Sequence, residues 1–345
     1  MRKQHILFIV NPISGTRSKN HLDNLIRDML DLTQYDYEIA YTQYAGHASE
    51  LAAAARLKQL DIVVAVGGDG TVNEVARTLV HSTTALGIIP YGSGNGLARH
   101  LHIPMHPEQA IRLINRKEIR QLDYGLIDSR PFFCTCGVGF DAFVSYKFAN
   151  STRRGMLSYL ENALREGLNY EPETYLIETE ETTEQYEAFL IACANASQYG
   201  NNAYIAPKAS MEDGLFDVII VEPFSAIEVP QLAIQLFNKT LDRNSHIKTF
   251  RTKKLRIHRQ HGGEAHCDGE PILTDKDVHI ELKRKGINVV VNPDIYVTGK
   301  DNLIQVITER FRELAKLHDE FVRRGDTLNK SIFRTITKSK SKNSE

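Results

Sequence analysis

The sequence predicts an α/β fold: a doubly wound parallel sheet at the N-terminus, then a mainly antiparallel β-sandwich or barrel. Four short apolar runs before residue 91 each lead into a polar loop containing glycine and then into a helical pattern, the alternation of a parallel sheet with crossover helices. From about residue 122 that alternation stops, and apolar, β-branched runs bounded by turn residues follow one another. The chain has 345 residues, 42% apolar and 25% charged, which suits a globular protein with two cores.

Residues 5–10 form the first apolar run and end in Asn11-Pro12-Ile13-Ser14-Gly15. Residues 19–32 then place Leu22, Leu25, Ile26, Met29 and Leu30 on one helical face. A second strand is expected at 37–41, followed by a loop from Thr42 to His47 and an alanine-rich helix at 48–57. Residues 61–66, Asp61 followed by five apolar residues, read as a buried parallel strand and lead through Gly67-Gly68-Asp69-Gly70-Thr71-Val72-Asn73-Glu74 into a helix expected at 72–80. The fourth strand, at 84–90, precedes Tyr91-Gly92-Ser93-Gly94-Asn95-Gly96 and short helices at 97–101 and 107–115. In such a sheet the four loops gather at the carboxyl edge and face one site.

Beyond the change of composition near residue 125, strands are expected at 123–127, 131–138, 174–178, 188–194, 216–221, 248–252, 254–258, 278–282 and 287–291. Helices interrupt them at 140–148, 156–167 and 226–238. The domains are therefore read as 1–124, 125–295 and 296–345. In the last of these, Ile304, Ile307, Phe311, Leu314 and Phe321 recur at helical spacing, and a basic tail carries Lys330, Arg334, Lys338, Lys340 and Lys342. This segment is either a helix packed on the body with a free tail or a helix lying on a membrane surface.

A net charge of -1 gives no support for nucleic-acid binding. Cys134, Cys136, Cys193 and Cys267 form no CxxC pair, so reduced thiols and a cytoplasmic location are expected. No apolar run reaches the roughly 20 residues needed to span a bilayer, so contact with the inner face of a membrane would be peripheral. Thirteen histidines form no HExxH pattern, and GxxxxGK[ST], the dinucleotide fingerprint and the protein-kinase motifs are absent.

The chemistry concentrates at the third loop. Glycines expose backbone N–H groups, and a helix start adds partial positive charge, which suits a phosphate. Asp69 would repel that phosphate unless a divalent cation or a proton transfer uses it, so the segment points to nucleotide plus metal. Alone, it is also compatible with a glycine turn and an Asp helix cap. In Cys267-Asp268-Gly269-Glu270-Pro271, the glycine permits a tight turn that aims Glu270 into a cleft as a proton acceptor. Asp69 competes for that role.

Asn-Pro-Ile-Ser-Gly, Gly-Gly-Asp-Gly-Thr-Val-Asn-Glu-Val and Pro-Tyr-Gly-Ser-Gly-Asn-Gly-Leu-Ala-Arg occur in that order. With them the chain resembles the diacylglycerol kinase catalytic-domain family, which includes bacterial soluble lipid kinases and sphingosine kinases, over about residues 3–295. The resemblance implies that Asn11, Pro12, Ser14 and Gly15, with Gly67, Gly68, Asp69, Gly70, Thr71, Asn73 and Glu74, hold the phosphates of ATP and its metal. It implies nucleotide contacts for Thr42 and Ser93, a place near the lipid head group for Asp141, and a structural Mg²⁺ held by Asp213, Ser210 and Leu215. Glu270 takes the position of the family's general base. Gly96 departs from the pattern, standing where diacylglycerol kinase-like members have an acidic residue, and the wording is nearer that of sphingosine kinases. The implied activity is ATP- and Mg²⁺-dependent phosphorylation of a membrane-derived lipid, diacylglycerol or a sphingoid base, at the membrane surface. A homodimer is left open. The alternatives are a NAD kinase, which shares GGDGT, and a non-catalytic lipid- or nucleotide-binding regulator.

Overall fold

Four parallel strands, β1 (Gln4–Val10), β2 (Tyr35–Tyr41), β3 (Ile62–Gly67) and β4 (Ala85–Pro90), lie side by side in the order β2-β1-β3-β4. The computed structural model describes residues 2–15, 19, 21–140, 142, 170–225 and 227–294. β3 and β4 are buried along their whole length, as unbroken apolar runs require, whereas β2 at the edge alternates. Crossing from β2 back over β1 to β3 creates a switch point between β1 and β3, where loops at the strand ends diverge and leave a crevice.

Five helices accompany this sheet: α1 (Leu22–Met29), α2 (His47–Leu57), α3 (Asp69–Leu79), α4 (Gly96–His100) and α5 (Pro107–Ile114). On α2 the buried residues are Ala48, Ala52 and Ala55, small enough for close packing on α3. α3 begins three residues earlier than expected. Gly68 is extended, Asp69 is the first helical residue and its charge suits the dipole, and Val72 N–H donates to Gly68 O at 3.1 Å. Thr71, Asn73 and Glu74 therefore stand on the helix.

The remaining elements are β5 (Ile119–Ile127), β6 (Arg130–Phe132), β7 (Thr135–Gly139), β8 (Glu173–Thr179), β9 (Thr183–Ala188), β10 (Leu190–Ala194) and β11 (Phe216–Val221). After them come α6 (Val229–Phe237), β12 (Ile247–Thr252), β13 (Lys254–His258), β14 (Gly263–Cys267), β15 (Glu270–Thr274) and β16 (Asp277–Val290). β16 pairs antiparallel with β5 and β13, and at its end parallel with β4 through Val289 and Leu86. The parallel sheet thus runs on into antiparallel strands as one ten-stranded sheet, and residue 125 lies inside β5. A second, six-stranded antiparallel sheet, β12-β11-β10-β7-β14-β15, faces the antiparallel part of the first. Ile127, Phe132, Tyr175 and Ile257 from one sheet meet Val138, Ile191, Phe216 and Val218 from the other in one core, a sandwich and not a barrel.

Three strand expectations change. The run at 131–138 breaks into β6 and β7 because Phe133 and Cys134 turn their N–H groups onto Asp268. The runs at 278–282 and 287–291 are one strand with a bulge between Lys283 and Ile287. β9, β14 and β15 were not expected: β9 and β15 bury one residue each, and β14 buries Ala265, His266 and Cys267 in succession, without alternation. The four cysteines are buried and free. Asp141, the helices expected at 140–148 and 156–167 beyond Phe140 and Ala142, and the C-terminal helix and tail lie outside the described residues. Among the described residues no helix is long and apolar enough to cross a membrane.

Candidate active site

The loops after β1, β3 and β4 touch through their backbones. Asn11 joins the first two: its N–H donates to Val66 O at 3.0 Å and its Nδ2 to Thr71 Oγ1 at 3.0 Å. Its own Oδ1 accepts from Ile13 N–H at 3.1 Å, which curls the loop that Pro12 and Ser14 belong to. Gly15 has a φ of +67°, and a Cβ there would stand 1.8 Å from Tyr91 O. A Cβ on Gly92 would stand 2.5 Å from the Cα of Gly68, and one on Gly94 2.6 Å from Asp69 Oδ2. Gly70 differs: a Cβ there would meet nothing within 4 Å, so this position faces open space.

Asp69 ties the third loop to the start of α3. Its Oδ2 accepts from Asn95 N–H at 2.7 Å and its Oδ1 from Gly96 N–H at 2.6 Å. Asn95 sits at φ 50° and closes the loop by bonding both Gly92 N–H and Gly92 O through its side chain. Burial raises the Asp69 carboxyl above the ordinary carboxylate range, against the lowering effect of those amides and of Arg99. Donors remain nearby for a ligand. Ser93 is exposed at the loop tip, and the buried Nδ2 of Asn73 has no protein partner. Lys19, not foreseen from the sequence, donates from Nζ to Ser14 O and stands 4.8 Å from the centre of the Tyr91 ring.

Thr42 and Glu74 lie at the margin. Thr42 N–H continues the sheet by donating to Val10 O at 2.9 Å. Glu74 accepts from Gly46 N–H at 3.0 Å and Ala48 N–H at 3.1 Å, so its carboxylate caps the start of α2 and is turned away from the glycine cradle.

A segment from the second half of the chain completes the wall around the third loop. Asn201 N–H donates to Gly94 O at 2.8 Å, and Gly200, at φ +117°, packs so closely that a Cβ there would lie 3.1 Å from Gly94 Cα. Arg99 bonds Gly94 O and Asn202 Oδ1, and His100 Nδ1 accepts from Ser197 N–H at 3.1 Å. Burial pushes His100 down to about 4. A Cβ on Gly96 would lie 3.3 Å from both Gly200 N and Tyr199 O, so the missing acidic side chain belongs with this docking. The sequence signal was only a turn-like Gly200-Asn201-Asn202 cluster.

Glu270 lies where the β14–β15 hairpin meets α3. Arg77 Nη1 donates to Glu270 Oε2 at 2.6 Å while Arg77 Nε donates to Pro131 O at 3.2 Å. Glu270 is half-exposed, and its Oε1 has no partner among the described residues. Its neighbour Asp268 is structural: it accepts from Phe133, Cys134 and Thr135 N–H at 2.8, 2.7 and 3.0 Å, and burial pushes it up to about 6.

The Asp213 loop was expected to hold a cation. Here Arg251 pairs with Asp213 Oδ2, Leu215 N–H donates to Asp213 Oδ1 at 3.1 Å, and Ser210 Oγ accepts from Glu212 N–H at 3.3 Å. Among the described residues no group of three or more His, Cys, Asp or Glu side chains is placed to hold a metal. In this arrangement a guanidinium sits on the one carboxylate expected to hold the cation. The loop is held instead by buried Asp123, which accepts from Gly214 N–H at 2.9 Å and Lys285 N–H at 2.7 Å.

Two family models match the chain: the diacylglycerol kinase catalytic domain over residues 5–127, and the YegS C-terminal NAD kinase beta sandwich-like domain over residues 134–291. A Bacillus subtilis protein named diacylglycerol kinase is 27% identical over 78% of this chain and 90% of its own length. A Chromohalobacter salexigens protein named probable lipid kinase YegS-like is 28% identical over 68% of this chain and 77% of its own length. A solved structure described as a putative diacylglycerol kinase from Bacillus anthracis shares the fold, with a TM-score of 0.68 over 86% of this chain and 99% of that one at 22% identity.

Proposed function

The chain belongs to the diacylglycerol kinase catalytic-domain family, and from that premise we propose that it is an ATP-dependent lipid kinase, transferring the γ-phosphoryl group to the hydroxyl of a membrane-derived lipid, a diacylglycerol or a sphingoid base. The observation that carries this is the packing of three glycine loops against one another at the carboxyl ends of β1, β3 and β4, with the amides of the third loop on Asp69. The donors fit a nucleotide: the N-terminus of α3, exposed Ser93, unpartnered Asn73 and the open face of Gly70. Bound ATP supplies the phosphoryl group, and its Mg²⁺ offsets the charge that Asp69 would otherwise repel.

Both Asp69 oxygens already accept hydrogen bonds, whereas one oxygen of Glu270 is open. Glu270 is therefore the group that accepts the proton of the lipid hydroxyl, with Arg77 fixing its carboxylate, and Asp69 organises the loops and carries the charge for the metal. Labelled ATP offered with diacylglycerol, sphingoid bases, ceramide and NAD tests the proposal. Label in a lipid supports it and names the substrate. Label in NAD alone, or in none of the four, overturns it.

A further inference from the structure

α6 is a nine-residue helix without a charged residue, Val-Pro-Gln-Leu-Ala-Ile-Gln-Leu-Phe. One side packs inward, where Leu232 and Leu236 meet the cluster around Phe189, Ala206 and Ile219, with Phe224 beside them. The other side carries exposed Gln231 beside large apolar groups: Ile234 is 60% exposed, Phe237 41%, and Ile227 just before the helix 89%. With two glutamines as its only polar residues the helix has no charged face to turn to water, and three large apolar side chains exposed within eleven residues are not the scattered kind normal for a surface.

Charge around this face favours an anionic partner. Of the acidic neighbours, Asp242 is paired with Lys208 at 2.7 Å, Glu222 with Lys248 at 3.6 Å, and Glu228 with Ser225 and His246. Lys239, over the Tyr204 ring, and exposed Arg243 remain as surplus positive charge at the C-terminal end of α6. The face also adjoins the site. Tyr204 N–H donates to Leu236 O at 2.9 Å, and three residues earlier Asn201 N–H donates to Gly94 O. Three residues span at most about 10 Å, so α6 lies one short segment from the third glycine loop.

We propose that Ile227, Ile234 and Phe237, flanked by Lys239 and Arg243, form the surface by which this protein docks on an anionic lipid bilayer. This rests on the lipid-kinase reading only for its purpose, since an enzyme taking a hydroxyl from a membrane lipid has to bring its phosphate loops to the head-group layer. The apolar side chains enter the boundary between head groups and acyl chains, and the two cations meet anionic head groups.

The test compares the full-length protein with a variant carrying Ile227→Ser, Ile234→Gln and Phe237→Gln, and with Ile234→Gln alone should the triple variant fold poorly. Sedimentation with phosphatidylcholine vesicles, with and without phosphatidylglycerol, measures binding without nucleotide. The basic C-terminal tail is the same in each protein, so a difference belongs to α6. The expected result is a loss of about tenfold or more in vesicle affinity for the triple variant, at unchanged melting temperature and with turnover of detergent-dispersed lipid retained. Lys239→Gln with Arg243→Gln reduces the preference for phosphatidylglycerol. Equal vesicle binding by wild type and triple variant, or no vesicle binding by wild type, overturns the proposal. So does a loss of self-association with vesicle binding intact, which makes the face an interface between copies. Vesicle binding lost in the variant, with no lipid phosphorylated by wild type, supports the surface and removes the kinase reading.

Discussion

The two ends of α3 are held by different kinds of contact. At the N-terminal end Asp69 is met by backbone: two amide N–H groups from the third loop, with glycines at 68, 92 and 94 because side chains would collide. At the C-terminal end, eight residues or about 12 Å of helix further on, Arg77 is met by Pro131 of β6 and by Cys267 and Glu270 of the β14–β15 hairpin. The first end tolerates almost no change of residue because backbone meets backbone there. The second is a side-chain lever whose parts can be altered one at a time. The largest expected effect is accordingly at the first end. Asp69→Asn lowers turnover by on the order of 10³-fold, about 4 kcal/mol of barrier. It also turns an amide NH₂ toward a backbone N–H, which costs about 1–3 kcal/mol of stability. Turnover of labelled ATP and a denaturant melt read the two effects separately, and activity within about tenfold of wild type, roughly 1.4 kcal/mol, excludes Asp69 from the mechanism.

Changes at the other end separate turnover from nucleotide binding. Glu270→Gln lowers turnover by about 10²- to 10⁴-fold with little change in ATP affinity measured by calorimetry, because the base acts on the lipid hydroxyl in the transition state. Arg77→Met lowers it less, by about tenfold, and the double variant is no slower than Glu270→Gln alone because both act through one carboxylate. Turnover of Glu270→Gln within a few-fold of wild type moves the proton to Asp69, and a collapse of ATP binding puts Glu270 in the nucleotide site.

The same contrast explains what was legible in the sequence. Strand-loop-helix order and the glycine loops are local patterns, so β1, β3 and β4 and the residues around Asp69 could be read from apolar runs and glycine spacing. The start of α3 was misplaced because Gly70 and Thr71 are poor helix formers, while the dipole and the third loop's grip on Asp69 hold the turn helical. The pairing of Arg77 with Glu270 spans 193 residues and that of His100 with Ser197 spans 97, and no local pattern encodes either. β9 and β15 bury one residue each and the three buried residues of β14 are consecutive, so none of the three shows a period of two.

His100 offers a pH test of the docked segment. Its folded pKa is depressed to about 4 by burial, so its contribution is present above the ordinary histidine value and is lost as pH falls from about 6.5 toward 4. At most this amounts to about 3 kcal/mol. Asp268 works in the opposite direction: raised to about 6, it costs stability as pH rises from near 4 to 6, so the two slopes partly cancel in the wild type. His100→Asn keeps an acceptor for Ser197 N–H but does not titrate. Its melting temperature, followed against pH, should therefore lose the acid-side fall relative to wild type. Parallel profiles for the two proteins place the titrating group elsewhere.

The smallest expected effect concerns Asp213, whose carboxylate carries the Arg251 guanidinium. Arg251 pairs with Asp213 and its Nε lies 3.7 Å from Asp217 Oδ2, so one guanidinium offsets two carboxylates. Asp217 is raised by burial, with Arg251 as the charge that lowers it again, so removing the guanidinium leaves a partly buried acid opposed by Asp213. Both ends of the Arg251–Asp213 pair are partly exposed, which limits the loss on Arg251→Met to about 1 kcal/mol or less. Chelation should leave the wild-type melting temperature unchanged. In Arg251→Met the uncovered carboxylates should gain a response to added Mg²⁺ that wild type lacks, seen as a rise in melting temperature with cation concentration. A fall in the wild-type melting temperature on chelation means that a metal stabilises the fold after all. An Arg251→Met protein indifferent to Mg²⁺ means that the loop is held by Asp123 and its backbone bonds alone.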